Sequence, residues 1–184
     1  MSTGRLLIFS GPSGVGKDTL LDLWMARNPR LKRVCAATTR TPRTGEREGV
    51  DYFFLSREEF ERLIAEGRFL EHAEYAGNYY GTPIEPMEAL LAEGLVAVLK
   101  IETQGALQVM EKRPEAVSIF ILPPSLEVLR ERIVGRGTED PAALQRRLVE
   151  AENEIALSER YQFQIVNDDL ETALADLEDI LERS

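Results

Sequence analysis

One stretch of the chain has the residue types to hold phosphate: Gly11-Pro12-Ser13-Gly14-Val15-Gly16-Lys17-Asp18-Thr19. Glycines at this spacing let successive backbone N–H groups converge on an anion. A lysine directly after the last glycine adds a point charge for the outer phosphates, and a helix N-terminus behind the loop adds its partial positive charge. A plain turn between a core strand and a core helix has no use for that lysine. The flanks agree. Leu6-Leu7-Ile8-Phe9 reads as a buried strand, and Thr19 to Trp24 has helical spacing. Strand, glycine loop, helix is the context in which this pattern binds a nucleotide. Asp18 stands where a hydroxyl residue more often follows the lysine. Its carboxylate is a hard oxygen donor, so Asp18 is the expected Mg²⁺ contact, direct or through water.

The other candidates are mostly arginines and carboxylates. The chain has 184 residues and a net charge of −10, yet only four of its 22 basic residues are lysines. Such an acidic chain is a poor non-specific binder of nucleic acid or anionic membrane, so its basic clusters matter where they occur. Arginine suits two-pronged contacts to phosphate. One cluster, Arg40, Arg43 and Arg47, lies in the loop-like segment 39–52, which ends in Tyr52. A second is Arg130, Arg132 and the glycine-flanked Arg136, followed by Arg146 and Arg147. Two carboxylates are placed to matter. Glu71 follows the apolar pair Phe69-Leu70, and Glu102 closes the apolar run Leu95–Ile101. The C-terminal end of such a run is where open α/β sheets bind ligands. The single Cys35 cannot form an internal disulfide and reads as core filler. The single His72 rules out a histidine metal cluster and leaves no serine–histidine machinery with a supporting motif. There is no signal-type apolar segment, membrane span or lipidation motif, which points to a reducing cytoplasm.

These residues need elements to position them. Strands are expected at 5–10, over the apolar run Arg33–Thr38, at Tyr52–Leu55, at 95–101, at Val117–Leu122 and at Phe163–Val166. Helices are expected at 17–27, from Ser56 with Glu59 as a capping box, over 84–93, over 103–112, from near Ser125, from Asp140-Pro141, and at the C-terminus with Leu170, Leu174, Leu177 and Leu181 on one face. Gly77-Asn78-Tyr79-Tyr80-Gly81-Thr82-Pro83 reads as a hydroxyl-rich turn. Strands alternating with helices imply an α/β fold, and with the glycine loop a P-loop NTPase-type, mainly parallel sheet flanked by helices.

Taken together, the segments resemble a guanylate kinase over nearly the whole length. The resemblance rests on the phosphate loop, Thr38-Thr39-Arg40-Thr41-Pro42-Arg43 with Gly45-Glu46, Gly49-Val50-Asp51-Tyr52, the 77–82 segment, Gln104-Gly105, Ile119 to Ser125, Gly135-Arg136-Gly137-Thr138, Arg147-Leu148 and Val166-Asn167-Asp168-Asp169. It implies a single domain with a core (1–33, 84–125, 158–184), a GMP-binding region (34–83) and a lid (126–157). It implies magnesium ATP as donor, GMP or dGMP as acceptor, GDP or dGDP and ADP as products, and a monomer or homodimer.

By resemblance, the loop from Gly11 to Thr19 and Asn167 bind ATP. Lys17, Arg43, Arg136 and Arg147 act on the transferring phosphate. Arg40 and Arg43, with Tyr52 and Tyr80, hold the GMP phosphate. Glu71 accepts the guanine N1–H and N2–H₂, Thr82 donates to O6, and Glu102 serves the base or magnesium-bound water. The chain departs from the family pattern at Asp18, at Ala36 in place of a serine, at Lys100 in place of a carboxylate, and at Glu102 in place of aspartate. Two other readings stand beside the enzyme: a guanylate-kinase-like module that binds partner peptides, and a phosphate-loop kinase for another phosphorylated small molecule, such as a ribose phosphate.

Overall fold

The computed structural model describes residues 4–135 and 140–184. Strand β1 (Arg5–Ser10) runs into the glycine loop, and helix α1 (Lys17–Arg27) leaves it. There follow β2 (Leu31–Arg33), β3 (Ala37–Thr38), β4 (Phe53–Phe54), α2 (Arg57–Ala65), β5 (Phe69–Tyr75), β6 (Asn78–Pro83) and α3 (Ile84–Ala92). The second half has β7 (Val96–Lys100), α4 (Thr103–Lys112), β8 (Val117–Leu122), α5 (Leu126–Val134), α6 (Pro141–Ala156), β9 (Phe163–Val166) and α7 (Leu170–Arg183). One sheet has the order β2-β7-β1-β8-β9 and a second the order β4-β3-β6-β5. The chain packs as two compact units, Met1–Leu7 with Lys32–Ala116 and Ile8–Leu31 with Val117–Ser184.

In the second of these units, β8 and β9 pair in parallel, with Ile119 opposite Phe163 and Leu122 opposite Val166. β8 is almost wholly buried and mostly apolar, because a strand covered on both faces has no polar side to show, whereas β9 buries Ile165 and exposes Gln164 and Val166. Leu20, Leu21 and Trp24 of α1 and Leu174, Leu177 and Leu181 of α7 are buried, so the leucine stripe expected of the last helix is core except at Leu170, which is exposed in the first turn. The Trp24 indole N–H donates to Glu178 at 2.7 Å, and Asn28 donates to the other oxygen of the same carboxylate. A buried indole needs such a partner, and this one ties α1 to α7. Asp140 caps α6 through the Ala142 N–H, with Pro141 in the first turn, as its sequence indicates.

The other unit carries the four-stranded sheet, and here sequence and structure differ. The segment 77–83 is a strand, not a turn: β6 pairs antiparallel with β5, Glu71 opposite Thr82, and the turn between them is Ala76-Gly77. Hydroxyls and glycine suggested a turn, but Tyr79, Tyr80 and Thr82 are also good strand residues. Pairing with β3 and β5 decides between the two. The run Arg33–Thr38 is likewise not one strand. Val34 still donates to Val98 beside β7, and the chain then leaves for β3 in the second sheet. An apolar run does not reveal that it serves two sheets. Phe60 of α2 stacks on Phe69 and Tyr79, with centroids at 4.3 and 5.1 Å, and fixes the helix over the β5–β6 hairpin. The Ser56 hydroxyl caps α2 at the Glu59 N–H, as the capping signature predicts.

Candidate active site

The glycine loop lies in the unit Ile8–Leu31 with Val117–Ser184. Gly14 and Gly16 have φ of 83° and 88°, left-handed values that side chains resist, so the loop can curl only because both are glycine. Gly16 caps α1, and Lys17 opens it. The Lys17 ammonium donates to the Gly11 carbonyl at 2.6 Å, which holds it at the loop. Arg147, on α6, donates to the Ser13 hydroxyl at 2.8 Å. An arginine distant in sequence is thereby placed at the glycine loop.

The loop is braced from behind. The Asn167 side-chain amide donates to the Val15 carbonyl at 2.9 Å, and its backbone N–H donates to Leu122. Asn167 is buried, so its observed work is to hold the loop. Arg132 of α5 donates to the carbonyls of Val15 and Asn167 at 3.3 and 3.4 Å. Sequence reasoning gave Arg132 no role. Its only signal was the density of arginines from 130 to 136. Asp18 is exposed in the first turn of α1, where a carboxylate also favours the helix dipole. Arg136 lies outside the described residues.

The candidates Arg40, Arg43, Tyr52, Glu71, Tyr80, Thr82 and Glu102 lie in the unit Met1–Leu7 with Lys32–Ala116. Arg40 is gripped by Glu46 with both prongs, at 2.8 and 3.0 Å, and lies over the Tyr52 ring at 5.4 Å. The Tyr80 hydroxyl is a further partner of Arg40, and the Tyr52 and Tyr80 rings meet edge to face at 6.2 Å. Glu46 also accepts the Arg43 backbone N–H at 2.7 Å. The Arg40 guanidinium, and after it that N–H, holds the Glu46 carboxyl down at about 2. Burial pushes the Tyr52 phenol up, which keeps it a neutral donor. Arg40, Tyr52 and Tyr80 are thus brought together, and the Arg43 backbone is tied to the same group through Glu46. Glu46, matched in the sequence but assigned no task, is the residue that organises them.

Glu71 is only 5% exposed, and its carboxylate accepts the Thr82 hydroxyl proton at 2.7 Å. Burial raises its pKa above the usual carboxylate range. The Thr82 hydroxyl and the Lys112 ammonium oppose that shift, and the Glu102 carboxylate adds to it. The sequence suggested that Thr82 donates to guanine O6. Its hydroxyl has one proton, and the buried carboxylate takes it, so Thr82 orients Glu71. Glu102 stands at the N-cap position of α4, just past the end of β7, and makes no side-chain capping bond there. Cys35 is half-buried, and burial raises its thiol pKa, consistent with filler and not a nucleophile.

The family model described as guanylate kinase matches residues 3–184. This chain belongs to the guanylate kinase family. A guanylate kinase of Rubrobacter xylanophilus is 52% identical over 183 residues, covering 100% of this chain and 96% of the relative. One from a Synechocystis strain is 49% identical, covering 93% and 90%. A crystal structure of guanylate kinase from Anaplasma phagocytophilum superposes with a TM-score of 0.77 at 38% identity, covering 100% of this chain and 87% of that one.

Proposed function

We infer that the protein is an ATP:GMP phosphotransferase, moving the γ-phosphoryl group of ATP to the phosphate of GMP and releasing ADP and GDP. Family membership over almost the whole chain supports the reaction. The observation that carries the acceptor is the buried Glu71 carboxylate bonded to Thr82. Guanine presents N1–H and N2–H₂ side by side, and one carboxylate accepts both. Adenine has no N1–H and would leave that carboxylate unpaired. Sites built on such hydrogen bonds reject the wrong ligand by about 10⁴.

The attacking group is the GMP phosphate, largely dianionic at neutral pH because its second pKa is about 6. No general base is needed, and the lack of a spare histidine is no obstacle. The obstacle is repulsion between two anions, which positioned cations relieve. The loop amides from Gly11 to Thr19 and Lys17 take the ATP phosphates. Arg40, Arg43, Tyr52 and Tyr80 take the GMP phosphate. Arg147, with Arg136, serves the transferring group. Asn167 keeps the loop in shape on the adenine side, and Glu102 faces the base or metal-bound water. On this reading residues 34–83 form the acceptor region, 126–157 form the lid, and dGMP is also accepted. The enzyme works in the cytoplasm, where both nucleotides are available.

Among the described residues, no group of three or more His, Cys, Asp or Glu side chains could hold a metal unaided. That donor set fits Mg²⁺ shared with ATP phosphates and water, for which a single carboxylate such as Asp18 is enough. Bound Mg²⁺ would neutralise charge on the β- and γ-phosphate oxygens. Asp18→Ala should raise the Mg²⁺ concentration for half-maximal turnover about tenfold or more. Unchanged magnesium dependence would remove Asp18 from the metal.

An acceptor panel tests the whole reading. ADP release is expected with GMP and dGMP, and not with AMP or ribose 5-phosphate. Binding of GMP without any ADP would make the protein a binding module. Turnover of ribose 5-phosphate alone would make it a different kinase.

A further inference from the structure

We propose that Gly105 is a specificity-determining residue: the bare backbone of α4 at this position sets where the base-reading carboxylate of Glu71 stands. The proposal rests on the assignment of Glu71 to guanine. Gly105 is the third residue of α4 and is buried. Glycine is a poor helix former, and the backbone here does not require it, since Gly105 is not among the glycines with positive φ. What it supplies is room. A methyl group at Gly105 would stand 2.8 Å from Glu71 Oε2 and 3.2 Å from the carboxyl carbon. Carbon and oxygen do not pack that closely, so the carboxylate would have to move.

The rest of the same helix face holds the strand still. Gln108 donates to the His72 carbonyl, and the Lys112 ammonium donates to the Leu70 carbonyl at 2.5 Å. Positions 105, 108 and 112 follow the i, i+3, i+7 spacing of one helix stripe. Leu70 and His72 flank Glu71 on β5, the last strand of its sheet, so their carbonyls are open to α4. Helix α4 therefore pins the backbone on both sides of Glu71 while Gly105 leaves space for its side chain. With Thr82 on Oε1 and Gly105 against Oε2, the carboxylate has one place to be. Its two acceptors can then match the paired donors of guanine and not the single one of hypoxanthine.

The test compares GMP with inosine monophosphate, which lacks only the 2-amino group. Gly105→Ala should lower the GMP-to-IMP ratio of kcat/KM about tenfold while the KM for ATP stays within about twofold. In a Glu71→Ala background, Gly105→Ala should change the ratio no further, because the two act through one contact. An equal loss for both acceptors, an unchanged ratio, or additivity in the double variant would overturn the proposal. If Gly105→Ala fails to fold, the double variant decides: recovery of folding supports the clash with Glu71, and continued failure assigns Gly105 to helix packing instead. Were Glu71→Ala alone to leave the ratio unchanged, the fault would lie in the assignment of Glu71, a separate outcome.

Discussion

Replacing Glu71 by glutamine is expected to lower kcat/KM for GMP by about 10²–10⁴ while leaving the KM for ATP nearly unchanged. Glutamine keeps the shape and can still accept from Thr82, but it turns one acceptor into a buried NH₂ facing the guanine donors. The variant should also show a change in the opposite direction. Burial raises the pKa of Glu71 above the ordinary carboxylate value. Below the unfolded value both states are protonated and the residue costs nothing. As pH rises from there through the raised folded value, the unfolded chain loses its proton first, and stability falls. Glu71→Gln should therefore melt higher than the parent at pH 7, and the difference should vanish under acid conditions. GMP binding has the matching limb. It needs the carboxylate, so kcat/KM for GMP should fall with acid at a higher pH than an ordinary carboxylate gives. In Glu71→Gln only the limb from the GMP phosphate itself should remain. Steady-state kinetics against pH, with thermal melts, read all of this; comparable losses for GMP and ATP would refute the assignment.

How far these residues were legible depends on what defines each of them. The phosphate loop is written locally, since its glycines, lysine and flanking periodicities lie within some twenty residues. The buried strands β7 and β8 are equally plain, because continuous apolar runs have few other uses. The β5–β6 hairpin was hidden because its second strand is built of tyrosine, glycine and threonine, which serve turns and edges as well. That omission had a cost for function. Without the pairing of Glu71 opposite Thr82, the bond between them is invisible, and Thr82 looks like a donor for the base. Arg132 and Glu46 escaped for another reason. Each is seen holding a neighbour: Arg132 the carbonyls of Val15 and Asn167, Glu46 the Arg40 guanidinium and the Arg43 N–H. Supporting residues carry no spacing rule, so only coordinates reveal them.

Arg147→Ala should lower kcat by about 10³ or more, the scale on which a guanidinium at a transferring phosphoryl group acts. Arg147 donates to the Ser13 hydroxyl at 2.8 Å, and that contact is exposed and worth little to the fold. The melting temperature should therefore barely move, which separates a catalytic loss from an unfolded sample. Arg147→Lys should recover little, because an ammonium is a point charge and cannot present two donors to two phosphate oxygens. Its neighbour Arg146 supplies the control. One residue along a helix turns the side chain by about 100°, so Arg146→Ala removes the same charge from α6 on a different bearing and should cost at most a few-fold. Ser13→Ala should be similarly mild, since it removes one exposed hydroxyl contact and leaves the guanidinium in place. If Arg146→Ala and Arg147→Ala were equally damaging, the effect would be one of general charge on the helix, and repulsion between the two phosphates would have to be relieved by Lys17, the loop amides and Arg43 without a second arginine from α6.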